Sequence, residues 1–245
     1  MALAAGLAEW LDLHGMTAAQ MLALIAVEPP PAESEPGPEP EPPFSPTAEA
    51  CWALAADALT AAMPEGRTII ACAREKTRRN FAADPARFPR AFTLWEDEGA
   101  PYVSCAFLGR RRDLLILAHE FGHCCQFWAS QSQTSPGTQP PPILRETAAF
   151  LAELLLLNHL ARTDPPLHLA ALALFQAQTR RIMTSQGQRL KAALRAGSGR
   201  YRYDWNYPPA RSAALHLARQ QQSGVVWSAF AGGLSLPVLL GIGQE

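Results

Sequence analysis

Two histidines four residues apart carry the strongest chemical signal in the sequence. His119 and His123 enclose Glu120 in the segment His-Glu-Phe-Gly-His. Positions i and i+4 of an α-helix lie on one face, so both imidazoles can point at one cation while Glu120 lies beside them. Apolar residues surround this segment, which predicts a buried helix, and buried histidines need partners. A metal ion would be such a partner; the alternative is a pair of surface histidines on an amphipathic helix.

A third ligand is expected from the next apolar helix. Glu146 stands near the start of ILRETAAFLAELLLLNHL, and Glu153 follows seven residues later on the same helix face. Two like charges on a leucine-rich helix are costly unless a cation or hydrogen-bond donors lie between them. The sequence therefore predicts Glu146 as the third metal ligand and Glu153 as a residue that orients a ligand histidine. The alternative is that this stripe faces water.

The predicted ligand set suits hydrolytic chemistry. Two imidazoles and one carboxylate leave the fourth position of a tetrahedral Zn²⁺ open for water. Zinc lowers the pKa of a bound water towards about 7, and Glu120 can accept its proton as that water attacks a carbonyl. We therefore expect one Zn²⁺ per chain and peptide-bond hydrolysis with Glu120 as general base. The ligand types do not exclude other first-row metal ions.

Four segments together resemble the oligoendopeptidase F and thimet oligopeptidase family of zinc metallopeptidases, which are gluzincins. PYVSCAFLGRRRDLLILAHEFGHCCQF and RETAAFLAE are similar to the family's catalytic core, and they place His119, His123, Glu146 and Glu153 on its motif positions. YRYDWNYPPARSAALHLA is similar to its tyrosine-rich segment, and FAGGLSLPVLLGIG to its closing helix motif. The similarity runs discontinuously from about residue 92 to the end.

The resemblance implies an oligopeptidase-like zinc metalloendopeptidase whose substrates are peptides or unfolded proteins. Tyr203 and Tyr207 match the later tyrosines, which would donate hydrogen bonds to the oxyanion of the tetrahedral intermediate. The alternative for either tyrosine is a wedge in a helix–helix contact. An extended strand ahead of the histidine helix would pair with the substrate backbone. This substrate strand comprises Tyr102, Val103, Ser104, Cys105 and Ala106.

The chain also departs from the family pattern. Family members are usually more than twice as long, and a large upstream helical region walls their channel. The family's substrate-facing histidine has no counterpart here, because AGSGR stands just ahead of Tyr201. A second hypothesis is therefore a catalytically weak, zincin-fold binding protein or secreted effector-type protein that retains the metal site. The presence of Glu120 favours the enzyme, since a purely structural metal site has no use for a base.

The remaining patterns predict the elements that must position these residues. Helical periodicity dominates after residue 114, and short β-like segments (RTIIACA, AFTLW and PYVSCAFLG) lie between residues 67 and 112. We predict a mainly α (α+β) fold, a zincin-like helical catalytic domain with a small antiparallel sheet. Its regions are an N-terminal helical hairpin (1–28), a Pro/Glu-rich linker (29–46) and the metallopeptidase domain (47–245). The hairpin is expected to pack on the main domain or, alternatively, to bind a protein partner or a second copy.

Composition excludes several classes of partner. The net charge of −1 gives no reason to expect nucleic-acid binding. No apolar run reaches the roughly 18 to 20 residues that cross a bilayer, so we expect no membrane association. The five cysteines form no C-x-x-C pair, and their odd number is typical of a reducing compartment. We therefore expect a cytoplasmic protein, with signal-independent secretion as the alternative.

Overall fold

The structure, a computed structural model, describes residues 5–26, 44–95, 99–131, 139–220 and 222–242. The predicted class is confirmed: the fold is mainly α-helical with a small sheet. Most of the predicted linker (29–46) lies outside the described residues, and the three-region division of the chain stays a prediction. No helix in the described ranges combines the length and the apolarity that crossing a bilayer requires.

Helices alternate with short connections along most of the chain. A 3-10 turn (Pro64–Gly66) precedes α4, a π-helical segment (Ile182–Gly187) joins α7 to α8, and a second 3-10 turn (Tyr203–Asn206) precedes α9. Within the described residues the α-helices are α1 (Leu7–Leu13), α2 (Ala18–Leu24), α3 (Ala48–Ala62), α4 (Arg67–Lys76), α5 (Arg111–Gln131), α6 (Pro142–Thr163), α7 (Pro165–Arg181), α8 (Gln188–Ala196), α9 (Tyr207–Gln220), α10 (Ser223–Ala231) and α11 (Leu236–Leu239). The strands are β1 (Arg78–Asn80), β2 (Phe92–Leu94) and β3 (Tyr102–Ser104).

The two longest helices, α5 and α6, pack against each other at the centre of the core. Their apolar residues point in nearly all directions, so α3 and α9 also pack on them and shield them from water. Gly122 marks a close approach between the two helices. A Cβ atom at this glycine would lie 2.8 Å from the Cα atom of Ala149 and 2.9 Å from the Cβ atom of Ala152. Small residues on both helices therefore let the two backbones meet.

The sheet has three strands in the order β1-β3-β2. β2 pairs with β3 in the antiparallel sense, with Thr93 opposite Val103. β1 pairs with β3 in the parallel sense, so the sheet is mixed rather than antiparallel throughout. The parallel pair is possible because more than twenty residues separate the two strands, enough for a crossover connection.

One β-like segment was wrongly predicted. RTIIACA forms the first part of α4, directly after the Pro64–Gly66 turn. Its β-branched residues favour a strand locally, but Ile70 and Ala73 are buried three residues apart, which is the spacing of one helix face. This face packs against α3 and α5, and that packing outweighs the local preference for a strand, so the segment is helical.

The N-terminal helices lie against the body of the protein. Trp10 is fully buried, and its indole N–H donates to Oδ1 of Asn206 at 2.8 Å. The backbone N–H of Leu7 donates to the carbonyl of Gly199, and α2 packs on α8 and α9. Asn206 Nδ2 in turn donates to the Tyr203 carbonyl at 2.8 Å. The hairpin thus supports the turn that carries Tyr203, while an external partner for residues 1–28 stays a prediction.

Candidate metal centre

The three predicted ligands converge on one point between α5 and α6. One ligand atom from each of His119, His123 and Glu146 lies within 4.8 Å of the other two. Oε2 of Glu146 is 3.3 Å from Nε2 of His119 and 3.9 Å from Nε2 of His123. The histidines share one face of α5 because they are four residues apart, and Glu146 faces them from the first turns of α6.

This arrangement passes a test for a cation site. Oε2 of Glu146 is buried and has no hydrogen-bond partner in the described residues. A buried polar atom without a hydrogen-bond partner is energetically costly. A divalent ion bound between this carboxylate oxygen and the two imidazole nitrogens would remove that cost. Two nitrogens and one carboxylate oxygen suit several first-row metals. The group can therefore hold a metal ion.

The pKa values of the three candidate ligands show which proton a metal ion would have to displace. Burial alone would lower the pKa of His119, but the carboxylates of Glu146 and Glu153 that face its ring outweigh burial and raise that pKa to about 10. Burial acts to raise the pKa of Glu146, yet the two histidines hold it at about 2. Burial lowers the pKa of His123 to about 3. Without a cation, the His119 ring is positively charged between the two carboxylates, and metal binding at Nε2 must release the proton of that nitrogen.

Glu153 lies where the sequence predicts an orienting residue. Its Oε1 is 2.8 Å from Nδ1 of His119, which leaves Nε2 of that ring directed at the metal position. Nη1 of Arg211 donates to the other carboxylate oxygen at 3.3 Å. Arg211 is fully buried, with its guanidinium between the rings of Phe150 and Phe175. The two groups form a buried ion pair that fixes the His119 ring.

Arg211→Met should weaken metal binding about 10- to 100-fold, the loss typical when the partner that orients a ligand is removed. The substitution keeps much of the side-chain volume but leaves the buried Glu153 carboxylate without its cation, so thermal stability should also fall. Competition with a chromogenic chelator measures the affinity. Arg219→Met, at an exposed position of the same helix, is the control. Unchanged affinity in folded Arg211→Met would show that Glu153 needs no such support.

Glu120 lies beside the metal ligands and is itself not one of them. The residue is 5% exposed and lines the same cavity as the two histidines. Oγ1 of Thr93, on β2, donates to Oε2 of Glu120 at 2.6 Å. Burial raises the pKa of Glu120 above its ordinary range. A fixed carboxylate with increased proton affinity suits the acceptance of a proton from water.

Both predicted tyrosines lie at the site, in different environments. The Tyr203 hydroxyl donates to Oε1 of Glu146 at 2.6 Å, so it is engaged with a metal ligand. The Tyr207 ring packs edge-on against it and lines the cavity, and its hydroxyl bonds to no other residue in the described ranges. Burial, followed by the Glu146 charge, raises the pKa of both phenols, which keeps them protonated as donors. Their catalytic roles stay predictions.

The structure corrects the position of the substrate strand. β3 is the central strand, paired with β1 on one side and β2 on the other, so Tyr102, Val103 and Ser104 offer no free edge. The chain beyond it is also paired: Cys105 N–H donates to the Asn80 carbonyl, and Ala106 bridges to Ala82. Periodicity alone cannot distinguish a central strand from an edge strand. Within the described residues β1 and β2 are the two edge strands, and of these it is β2 that lines the cavity with the ligands.

The ligands open into a cavity of about 200 Å³. Its lining comes from β2 and its neighbours, from α5, from the start of α6 and from the two tyrosines, Tyr203 and Tyr207. Sequence reasoning missed Thr93, Arg145 and Arg211 at this site. The one available signal was Arg211 itself, a charge among small apolar residues in YPPARSAALHLA.

Comparison with known proteins adds little to this geometry. Neither a model of a known protein family nor a curated protein matches the sequence. A solved structure of a "putative peptidase" from Chlamydophila abortus aligns with a TM-score of 0.45 and 18% sequence identity. The alignment covers 80% of this chain and 32% of that one, so the chain spans about a third of that protein's length. A likeness at this level carries no argument, and the relation to the oligoendopeptidase F family stays a resemblance.

Proposed function

We propose that this chain is a zinc-dependent metallopeptidase that hydrolyses peptide bonds. One observation carries the proposal: His119, His123 and Glu146 converge around a buried carboxylate oxygen that accepts no hydrogen bond in the described part of the chain, and the carboxylate of Glu120 lines the same cavity. A purely structural metal site needs only the ligands. The additional buried carboxylate is the group that a hydrolytic reaction requires as a base.

The residues present fit the reaction. His119, His123 and Glu146 would hold the ion, which when bound supplies Lewis acidity and lowers the pKa of coordinated water towards about 7. Glu120 accepts the proton of the attacking water and passes it to the leaving amine nitrogen. The Thr93 hydroxyl donates a hydrogen bond to one carboxylate oxygen of Glu120. The other oxygen has no hydrogen-bond partner in the described part of the chain, so it is available for this proton transfer.

The substrate backbone is best accommodated along β2. Its outer edge is unpaired in the described residues, and Phe92 and Thr93 line the cavity that contains the metal ligands. A peptide added to this edge as a further strand would form main-chain hydrogen bonds and bring a carbonyl group towards the ligands. The protonated hydroxyl of Tyr207 lies on the other side of the cavity and can donate to the developing oxyanion.

Metal analysis combined with a peptide digest tests this function. We expect about one zinc ion per chain, hydrolysis of members of a mixed peptide library, loss of hydrolysis with a chelator and recovery when Zn²⁺ is restored. Mass spectrometry of the digest identifies the bonds that are cut. Absence of chelator-sensitive cleavage would overturn the proposal in favour of the second hypothesis, a catalytically weak binding or effector-type protein that retains the metal site.

A further inference from the structure

Arg145 places a positive charge in the wall of the cavity. It precedes the ligand Glu146 at the start of α6 and lines the same cavity. Nη1 donates to the amide oxygen of Gln139 at 3.1 Å, while Nε is buried and has no hydrogen-bond partner. Among the described residues no carboxylate forms an ion pair with Arg145. Arg211, the other arginine near the ligands, has both an ion-pair partner and aromatic rings around it.

The position of this arginine is unfavourable for metal binding alone. A positive charge beside a cation site repels the cation, and a half-buried guanidinium without an anion has lost part of its hydration without compensation. The hydrogen bond to Gln139 does not explain the charge, because a neutral side chain can donate equally well to an amide oxygen. No carboxylate in the described part of the chain therefore supplies the anion that this positive charge calls for.

We propose that Arg145 binds a carboxylate group of the substrate close to the bond that is cut, an inference that rests on the proposed peptidase function. A guanidinium is a planar fork of donors that matches a carboxylate with two parallel hydrogen bonds. The unpaired Nε is one of these donors. Arg145 thus selects peptides that carry a negative charge at one position.

The dimensions of the site restrict where that charge lies. Consecutive Cα atoms are about 3.8 Å apart, so the backbone of Arg145 lies directly beside that of the ligand Glu146 on α6. The cavity, of about 200 Å³ and open on one side to solvent, is smaller than typical small-molecule pockets, which begin at roughly 300 Å³. The carboxylate is therefore expected within about two residues of the scissile bond, since each extended residue spans about 3.3 to 3.6 Å. Both a C-terminal carboxylate and an acidic side chain satisfy this requirement.

Matched peptides distinguish the two sources. In the first arm, short peptides with a free C-terminal carboxylate are compared with their C-terminal amides. In the second arm, longer amidated peptides carry Glu or Gln near the scissile bond. In one of the arms we expect kcat/KM of the wild type to be about 10- to 100-fold higher for the charged peptide, the usual effect of a hydrogen-bonded charge pair.

Arg145→Met should remove this preference, lowering kcat/KM about 10- to 100-fold more for the charged peptide than for the neutral one. Arg145→Lys should retain part of it, because the charge remains but the planar fork is lost. Arg162→Met, at an exposed position of the same helix, should behave as the wild type. Equal hydrolysis of charged and neutral peptides by the wild type, or an equal loss on both in Arg145→Met, would overturn the assignment and leave the peptidase function intact.

A binding measurement separates this inference from the proposed function. Zinc-loaded Glu120→Gln is titrated calorimetrically with two matched pairs of N-acetylated tripeptides, acid against amide and, as amides, Glu against Gln. The titration is repeated with Arg145→Met added. Tighter binding of the charged member of either pair, lost in the double variant, supports a carboxylate site even if no peptide is hydrolysed. Equal binding within both pairs, or a preference that persists in the double variant through direct coordination, excludes it.

Discussion

Glu120→Gln should lower kcat for peptide hydrolysis by about 10²- to 10⁴-fold while the metal content stays at the wild-type level. The size of the loss is that of a general acid–base group, because an amide cannot accept the proton of the attacking water. Zinc stays bound because His119, His123 and Glu146 are unchanged. Initial rates on a peptide identified from the library digest, together with elemental analysis of the same sample, give both quantities.

The substitution is nearly isosteric, and the hydroxyl of Thr93 can still donate to the amide oxygen at residue 120. Thr93→Ser, which retains that hydroxyl, is the matched control and should keep most of the activity. Hydrolysis at the native rate by Glu120→Gln would exclude Glu120 as the base. Loss of the metal would instead show that Glu120 takes part in coordination.

The second large effect is expected at Glu146. Glu146→Ala should reduce metal affinity by more than the roughly 10- to 100-fold that follows removal of a residue that only orients a ligand. Hydrolysis should fall with occupancy. The variant removes the anionic donor of the group and also the acceptor for the Tyr203 hydroxyl, so coordination and packing change together.

A companion variant separates these two contributions. Glu146→Gln keeps the side-chain volume and an oxygen for the Tyr203 hydroxyl, but it removes the charge. Zinc titration should therefore show weak binding in both variants, whereas Glu65→Ala, at an exposed position, should bind as the wild type. Full metal occupancy of Glu146→Ala and Glu146→Gln would contradict the proposed ligand set and with it the peptidase mechanism.

Local geometry explains why the sequence predicted most of the metal group. The spacing of His119 and His123 fixes their relative direction once the segment is helical, whatever surrounds it. The spacing of Glu146 and Glu153 does the same on α6, and the structure places both near His119. These predictions needed only the assumption that two neighbouring apolar helices face each other.

The errors arose where residues from distant parts of the chain decide the outcome. Strand order depends on pairing between β1 and β3, which alternation within either strand cannot reveal. The contacts of Thr93 with Glu120 and of Arg211 with Glu153 join residues far apart in the sequence, and neither lies in a motif with local meaning. The helical state of RTIIACA likewise follows from the helices that pack on it.

The contact at Gly122 leaves no room for a side chain at this position unless one of the two helices moves. Two of the nearest neighbours of a Cβ atom there belong to the main chain, the Cα of Ala149 at 2.8 Å and the carbonyl oxygen of Ala148 at 3.0 Å. No replacement of those neighbours can make room, because every amino acid has these atoms. A larger residue would have to displace one of the two helices as a whole. Because the two imidazoles lie on α5 and Glu146 lies on α6, that displacement would separate the candidate ligands. The distance between the candidate ligands on the two helices therefore depends on the absence of a Cβ atom at residue 122.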